Sequence, residues 1–241
     1  MNTTAEKTVR ELALENPAAT RVFEKLGIDY CCGGDKSLDE ACRTANLPIE
    51  KVLDSLEMTE QSARAVGKDR DWPTELLSDL IAHITSTHHK YTREELARLG
   101  PLFDKVCSVH GKNHPELPQI RAGFQGLAQE LTMHMMKEEM VLFPYIVRME
   151  ESVIQREPVL PPPFGSVQNP ISMMEHEHDS AGSALRAMRE ASAGYMPPAD
   201  ACISFQTLYK ALAGFEADLH QHIHLENNIL FPRAIEMEGG H

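Results

Sequence analysis

The chain has 241 residues, 42% hydrophobic and 24% charged, enough to bury a sizeable core. Its formal net charge of −13 excludes nucleic acid or an anionic membrane surface as the main partner, because both need a basic footprint. No apolar run approaches the roughly 18 to 20 residues of a membrane span, and the polar start from Met1 to Lys7 is no signal peptide. Five cysteines, odd in number and without C-x-x-C spacing, fit a reducing compartment, so the expected setting is cytoplasmic.

Residues 1–58 read as a small helical domain. Val9, Leu12 and Leu14 precede a restart at Asn16-Pro17, Val22, Phe23 and Leu26 follow at helical spacing, and Gly27 stops that helix. A glycine-rich turn, Asp29-Tyr30-Cys31-Cys32-Gly33-Gly34, leads to Ser37 and Glu40, the pattern of a capping box, and Leu47-Pro48 opens a last helix. Cys31 and Cys32 are either exposed redox thiols near a helix N-terminus, where the dipole lowers thiol pKa, or small buried hydrophobes. Cys42, Cys107 and Cys202 lie in helical stretches and read as core filler.

Residues 59–73, polar and containing Gly67, read as a linker. From 74 to 241 the spacing predicts four long helices, about Thr74 to Cys107, Leu117 to Met149, Pro170 to Ala193 and Ala199 to Met237. Leu77, Leu80, Ile81, Ile84, Leu96, Leu99 and Phe103 form the stripe of the first. Pro144 and Pro232 predict kinks near the ends of the second and fourth. The fold class is therefore all-α, an up-down-up-down four-helix bundle preceded by the small helical domain.

One stretch occurs twice. His134-Met-Met-Lys-Glu138-Glu-Met-Val-Leu-Phe-Pro144 returns as His222-Ile-His-Leu-Glu226-Asn-Asn-Ile-Leu-Phe-Pro232, 88 residues later. Each copy sets a His and a Glu four apart, on one helix face. Leu127, Leu131 and Val141, and in the second copy Phe215, Leu219 and Ile229, place that face toward the core. Burying an unpartnered carboxylate is costly, and two such copies favour a metal over a lone ion pair. His89 and His178 precede His134 and His222 by 45 and 44 residues, so each repeat is a hairpin carrying one His, then a His and a Glu. The turn signals at 110–118, 157–165 and 194–198 fall near the midpoints, which brings all four histidines to one height.

The candidate ligands are thus His89, His134, Glu138, His178, His222 and Glu226, six donors suited to two metals that share bridging carboxylates. Imidazole and carboxylate accept iron, zinc, copper or manganese. Two carboxylates halve the four charges of a diferrous pair and leave positions for a small ligand. Glu177 and Glu130 are the candidates to orient a ligating imidazole or relay a proton, with a solvated face charge as the alternative for each. His176, His220 and His224 read as surface or supporting residues. Met133, Met135, Met136, Met173 and Met174 read as core or boundary filler.

Tyr30-Cys31-Cys32-Gly33-Gly34, His134 to Glu139, Met174-Glu-His-Glu177-His178-Asp179 and His222 to Pro232 together resemble the repair-of-iron-centres family, the iron-sulfur cluster repair di-iron proteins. The resemblance spans almost the whole chain and implies a hemerythrin-like bundle after a short Cys-Cys-Gly-Gly domain. It further implies two non-haem iron ions with an oxo bridge, His89, His134, His178 and His222 as terminal ligands, Glu138 and Glu226 as bridges, and Glu177 beside the irons. The implied function is restoration of iron-sulfur clusters damaged by oxidative or nitrosative stress, by iron donation or by handling NO. The implied partners are iron-sulfur client proteins and NO or O2, and a homodimer is left open. The alternatives are a di-iron enzyme that reduces NO or peroxide, and a hemerythrin-like O2 or NO binder or sensor. The Cys-Cys module, which a simple carrier does not need, favours the first reading.

Overall fold

The computed structural model describes residues 3–66 and 70–239, and their fold is all-α. Gly67 of the expected linker and the terminal His241 lie outside the described residues. The N-terminal unit consists of α1 (Thr3–Glu6), α2 (Val9–Glu15), α3 (Ala19–Leu26), α4 (Leu38–Thr44) and α5 (Ile49–Val66) around Val9, Phe23, Leu38 and Val52. A capping box opens α2: the Glu11 N–H donates to the Thr8 hydroxyl, and Glu11 takes the Thr8 N–H in return. Gly27 ends α3 at φ 68, a left-handed conformation open to glycine without strain. At α4 the Glu40 N–H donates to Ser37. Residues 59–66 continue α5 instead of beginning a linker, because no Gly or Pro interrupts the stretch before Gly67.

In the bundle, three of the four long helices are each broken by a five-residue π segment. The first joins α6 (Leu77–Ile84) to α7 (Lys90–His110) through Thr85–His89. The second joins α8 (Glu116–Lys137) to α9 (Phe143–Gln155) through Glu138–Leu142. The third helix, α10 (Gln168–Ala191), is uninterrupted, and the fourth joins α11 (Ile203–Leu225) to α12 (Phe231–Gly239) through Glu226–Leu230. α8 packs along α10, α7 along α11 and α8, and α6 against α9, the neighbours of an up-down-up-down bundle. The fourth helix starts at Ile203, later than expected, because Cys202 is extended at φ −70 and ψ 168.

The second and third π segments stand where Pro144 and Pro232 predict kinks. The Phe143 N–H donates to the Glu138 carbonyl and the Phe231 N–H to the Glu226 carbonyl, each five residues back. Pro144 and Pro232 follow at once. Having no N–H, they leave the widened turn without a lost donor, and the wider turn keeps the ring clear of the carbonyls before it.

Two apolar clusters fill the bundle. Leu99, Phe103, Phe124, Leu185, Phe205 and Phe215 occupy one end, and Leu80, Ile84, Ile146, Ile171, Leu230 and Phe231 the other. Between Leu131 and Leu142 on the second helix, and between Leu219 and Leu230 on the fourth, the chain passes from one cluster to the other. His134, Glu138, His222 and Glu226 lie in that interval, as a polar layer.

Candidate metal centre

His89 ends the first π segment, while Glu138 and Glu226 begin the second and third. π turns recur at functional sites because the extra residue re-aims side chains without ending the helix. All six candidate ligands are buried, Glu138 and Glu226 completely. They fall into two overlapping groups whose ligand atoms lie within 4.8 Å of one another: His89, Glu138, His222 and Glu226, and His134, Glu138, His178 and Glu226.

The two carboxylates are shared oxygen by oxygen. Glu138 Oε2 is 3.3 Å from His89 Nε2, and its Oε1 is 3.3 Å from His134 Nε2. Glu226 Oε1 is 3.0 Å from His222 Nε2, and its Oε2 is 3.2 Å from His178 Nε2. Across the site His89 Nε2 stands 3.1 Å from His222 Nε2, and His134 Nε2 stands 3.0 Å from His178 Nε2.

Three of the imidazoles are oriented through Nδ1, which donates to Glu139 Oε1 at 2.7 Å from His89, to Glu177 Oε2 at 2.9 Å from His134 and to Asn227 Oδ1 at 2.7 Å from His178. Arg93 also holds Glu139, and Lys137 holds Glu177. A neutral imidazole that donates through Nδ1 presents a bare lone pair at Nε2. With both rings neutral, His134 and His178 aim lone pairs at each other and at carboxylate oxygens, an arrangement that repels unless a proton or a metal cation lies among them. Both oxygens of Glu138, Oε2 of Glu226 and Nδ1 of His222 are buried without a hydrogen-bond partner.

The electrostatics state the same demand. Burial opposes a charged His134, but the carboxylates of Glu138, Glu226 and Glu177 overcome it and raise its pKa to about 9. His89 is also raised: burial works against its charge, and Glu138, Glu226 and Glu139 outweigh it. At His222 burial prevails and lowers the pKa. Burial pushes both glutamates upward, yet the facing histidines hold Glu138 below the usual range and Glu226 well below it. Two ionised carboxylates thus sit in a dry layer that draws in positive charge. Soft thiolate is absent from this donor set, and nitrogen with carboxylate oxygen suits iron, manganese or zinc.

Residues 80–234 match the family model of the hemerythrin HHE cation binding domain, and residues 5–60 match a domain of unknown function (DUF542). A protein of Haemophilus influenzae named "Probable iron-sulfur cluster repair protein" is 36% identical over 231 residues, covering 96% of this chain and 97% of the relative. The iron-sulfur cluster repair protein YtfE of Pectobacterium carotovorum is 37% identical over 234 residues, 97% and 98% of the two chains. That of Yersinia pestis is 36% identical over 228 residues, covering 94% and 96%. The chain belongs to the iron-sulfur cluster repair proteins and carries their hemerythrin HHE domain.

Within this family framework several expected residues stand elsewhere than the sequence suggests. Glu177 reaches His134, but Glu130 is exposed, accepts a bond from Ser180 Oγ at 3.3 Å and meets no imidazole. Its place is taken by Glu139 and Asn227, each the residue directly after a glutamate of the repeat, an offset that could have revealed both. Val141 is 46% exposed whereas Ile229 is 5% exposed, because the π turn rotates the following residues off the inward face and only the second copy is covered there. Met135 and Met174 are buried, while Met133, Met136 and Met173 are exposed. His224 is buried beside Asn228, and His220 Nδ1 lies 2.9 Å from Glu24 Oε2; only His176 of those three is exposed.

The cysteines also depart from the exposed-thiol reading. Cys31 is buried, Cys32 is half-buried, and no helix begins between Cys32 and Leu38. The Cys31 thiol is pushed up, first by its bond to Cys32, then by burial and by the Asp29 anion. Both line a cavity of about 400 Å³ between the N-terminal unit and the bundle, together with Asp29, Arg186, Arg189 and His220. Among the other cysteines Cys42 is core, Cys107 is half-buried, and Cys202 is exposed with His110 3.2 Å from its sulfur. No helix among the described residues is long and apolar enough to cross a membrane.

Proposed function

We propose that this protein holds two iron ions between His89, His134, His178, His222, Glu138 and Glu226, and that it serves the repair of iron-sulfur clusters damaged by oxidative or nitrosative stress. The observation that carries the metal reading is the pairing of Nε2 atoms at 3.0 and 3.1 Å around two carboxylates whose four oxygens are divided between the pairs. His89 and His222 would hold one ion, His134 and His178 the other, and Glu138 and Glu226 would bridge. Iron bound in this way supplies reversible redox chemistry and ligand positions open to NO or O2. The repair assignment is supported by the relatives' names and by their match along nearly the full chain.

The protein's own contribution is to hold the donors ready. Glu139, Glu177 and Asn227 fix the tautomer in which Nε2 is free. The apolar clusters above and below exclude water and keep the carboxylates ionised only while positive charge is present, so metal uptake should release protons from the site. Four neutral histidines and two carboxylates leave two ferrous ions with a net positive charge, which suits an anionic bridge such as oxide. Metal analysis with an absorption spectrum tests the centre: two irons per chain and oxo-bridged diferric bands are expected, and a colourless zinc protein would end the reading. Incubation with an apo-cluster enzyme tests the role. Recovery of that enzyme without iron loss from this protein would sink iron donation and favour NO handling.

A further inference from the structure

The third π segment carries three consecutive polar residues with three different duties. Glu226 faces the metal layer and Asn227 orients His178, as described above. Asn228 turns the other way: Arg10 Nε donates to its Oδ1 at 2.6 Å, its Nδ2 donates to the Tyr30 carbonyl at 3.0 Å, and the same Nδ2 lies 2.7 Å from His224 Nδ1. Asn228 is 5% exposed, so each of these bonds is made away from water. Arg10 lies on α2 and Tyr30 in the Cys-Cys turn, both in the N-terminal unit. In the first repeat the same position of the π segment holds Met140, which is 73% exposed and meets no such clamp.

We propose that Asn228 and Arg10 are positioning residues for the metal centre: docking of the N-terminal unit, read by Asn228, holds the π turn that aims Glu226 and Asn227. The inference rests on the metal reading given above. A π turn is a register that helical backbone leaves readily for α, so a segment of this kind needs outside contacts to stay in place. The first π segment that bears a glutamate has Pro144 after it and an exposed far side; the third has Pro232 and, in addition, the clamp. Releasing the clamp would let Glu226 and the Asn227–His178 bond drift together, since all three residues ride on one turn. Arg10 touches none of the ligands. Among the residues its side chain meets, Asn228 is the one that lies on the π segment, so Asn228 is the direct route from Arg10 to the metal layer.

The test uses the full-length protein, stripped of metal, and three variants: Arg10→Ala, Asn228→Ala and Arg10→Lys. Hydrogen exchange read by mass spectrometry should rise in residues 226–230 of the two Ala variants and return toward the parent in Arg10→Lys, which keeps a cationic donor. Cobalt(II) titration should show roughly tenfold weaker binding in both Ala variants, the size usual for loss of an outer-shell support, with altered ligand-field bands. Circular dichroism guards against a folding artefact, and Arg10→Lys keeps the ion pair with Asp35 that Arg10→Ala removes. Unchanged exchange and unchanged cobalt spectra in folded Ala variants would overturn the inference and leave the metal reading intact. Failure of the parent protein itself to bind cobalt would overturn both.

Discussion

The two helical hairpins that make up the bundle share one chemical plan and differ in what surrounds it. In each, a histidine on the first helix meets the Glu on the second, and the histidines pair between hairpins, His89 with His222 and His134 with His178. The residue after each glutamate reaches across to the histidine of the preceding helix, Glu139 to His89 and Asn227 to His178. Beyond that residue the copies diverge. Met140 and Val141 are exposed in the first, whereas Asn228 and Ile229 are buried in the second. The difference teaches that the repeat encodes the paired His and Glu, while the N-terminal unit, bonded to Asn228 and His220 of the second copy, makes the halves unequal.

The largest effect should ignore that inequality. Glu138→Ala and Glu226→Ala each remove a carboxylate proposed to touch both ions, so both should lose most of their iron. His89→Ala and His178→Ala remove one terminal donor and should retain at least one metal per chain, since a bridge contributes two bonds and offsets charge at close range. Circular dichroism should stay near the parent, because the helices are held by the apolar clusters. Iron counts on the four variants decide the matter. If Glu226→Ala keeps two irons with an unchanged spectrum, Glu226 is no bridge.

The next effect should expose the chemical difference between the copies. Glu139 is an anion shared with Arg93, and Asn227 is a neutral amide. A charged acceptor raises the basicity of its imidazole more than an amide does, so Glu139→Ala should weaken metal binding by about 10- to 100-fold and Asn227→Ala by the lower end of that range. Competition against a chelator measures both. Equal losses would mean that orientation alone matters and that the charge of Glu139 is without consequence.

A third effect concerns stability and the same asymmetry. Ile229 is buried and Val141 largely exposed. Ile229→Ala should therefore cost about 2 to 5 kcal/mol in urea unfolding, against about 0.5 kcal/mol for Val141→Ala. Similar costs for the two would contradict the view that the first copy is uncovered.

The fold class, and the meeting of the six proposed donors in one buried layer, were legible because they rest on long-period signals. His134 and Glu138 repeat as His222 and Glu226, turn residues fall midway between ligand candidates, and the stripe from Leu77 to Phe103 is regular. The π segments were not legible, since their backbone register leaves no periodic trace; Pro144 and Pro232 announced a disturbance without saying that it would widen a turn in place of bending the helix. That hidden register is why Val141 was placed on the inward face. Glu130 was named as a supporting candidate and Glu139 was not, because i and i+4 neighbours on one helix are easy to count, whereas the partner of His89 lies on another helix. For Cys31 the choice between exposed and buried stayed open for a related reason: its burial depends on the bundle face that the Cys-Cys turn meets, and a local pattern does not contain that face.

The smallest effect isolates the turn that meets the second copy. Asp29 Oδ1 accepts the N–H groups of Cys31, Cys32 and Gly33 at 3.2, 3.0 and 3.0 Å, and the Cys31 thiol at 3.4 Å. Burial alone would raise the Asp29 pKa, but these donors prevail and hold it below the ordinary 3.8. A carboxylate whose pKa is lower in the folded state than in the unfolded chain binds its proton less readily when folded. Its contribution to stability is therefore fully present above 3.8 and is lost as pH falls below that value toward the folded pKa. Asp29→Asn keeps the shape and one acceptor oxygen but has nothing to titrate. The stability gap between parent and variant should be constant near neutrality and should shrink below 3.8, while the acid response of the other carboxylates cancels in the difference. Denaturant unfolding of both proteins at a series of pH values, followed by a probe in the N-terminal unit, measures the gap. A gap that does not change with pH would show that Asp29 holds the Cys-Cys turn by shape and not by charge, and the turn that presents the Tyr30 carbonyl to Asn228 would then owe nothing to its anion.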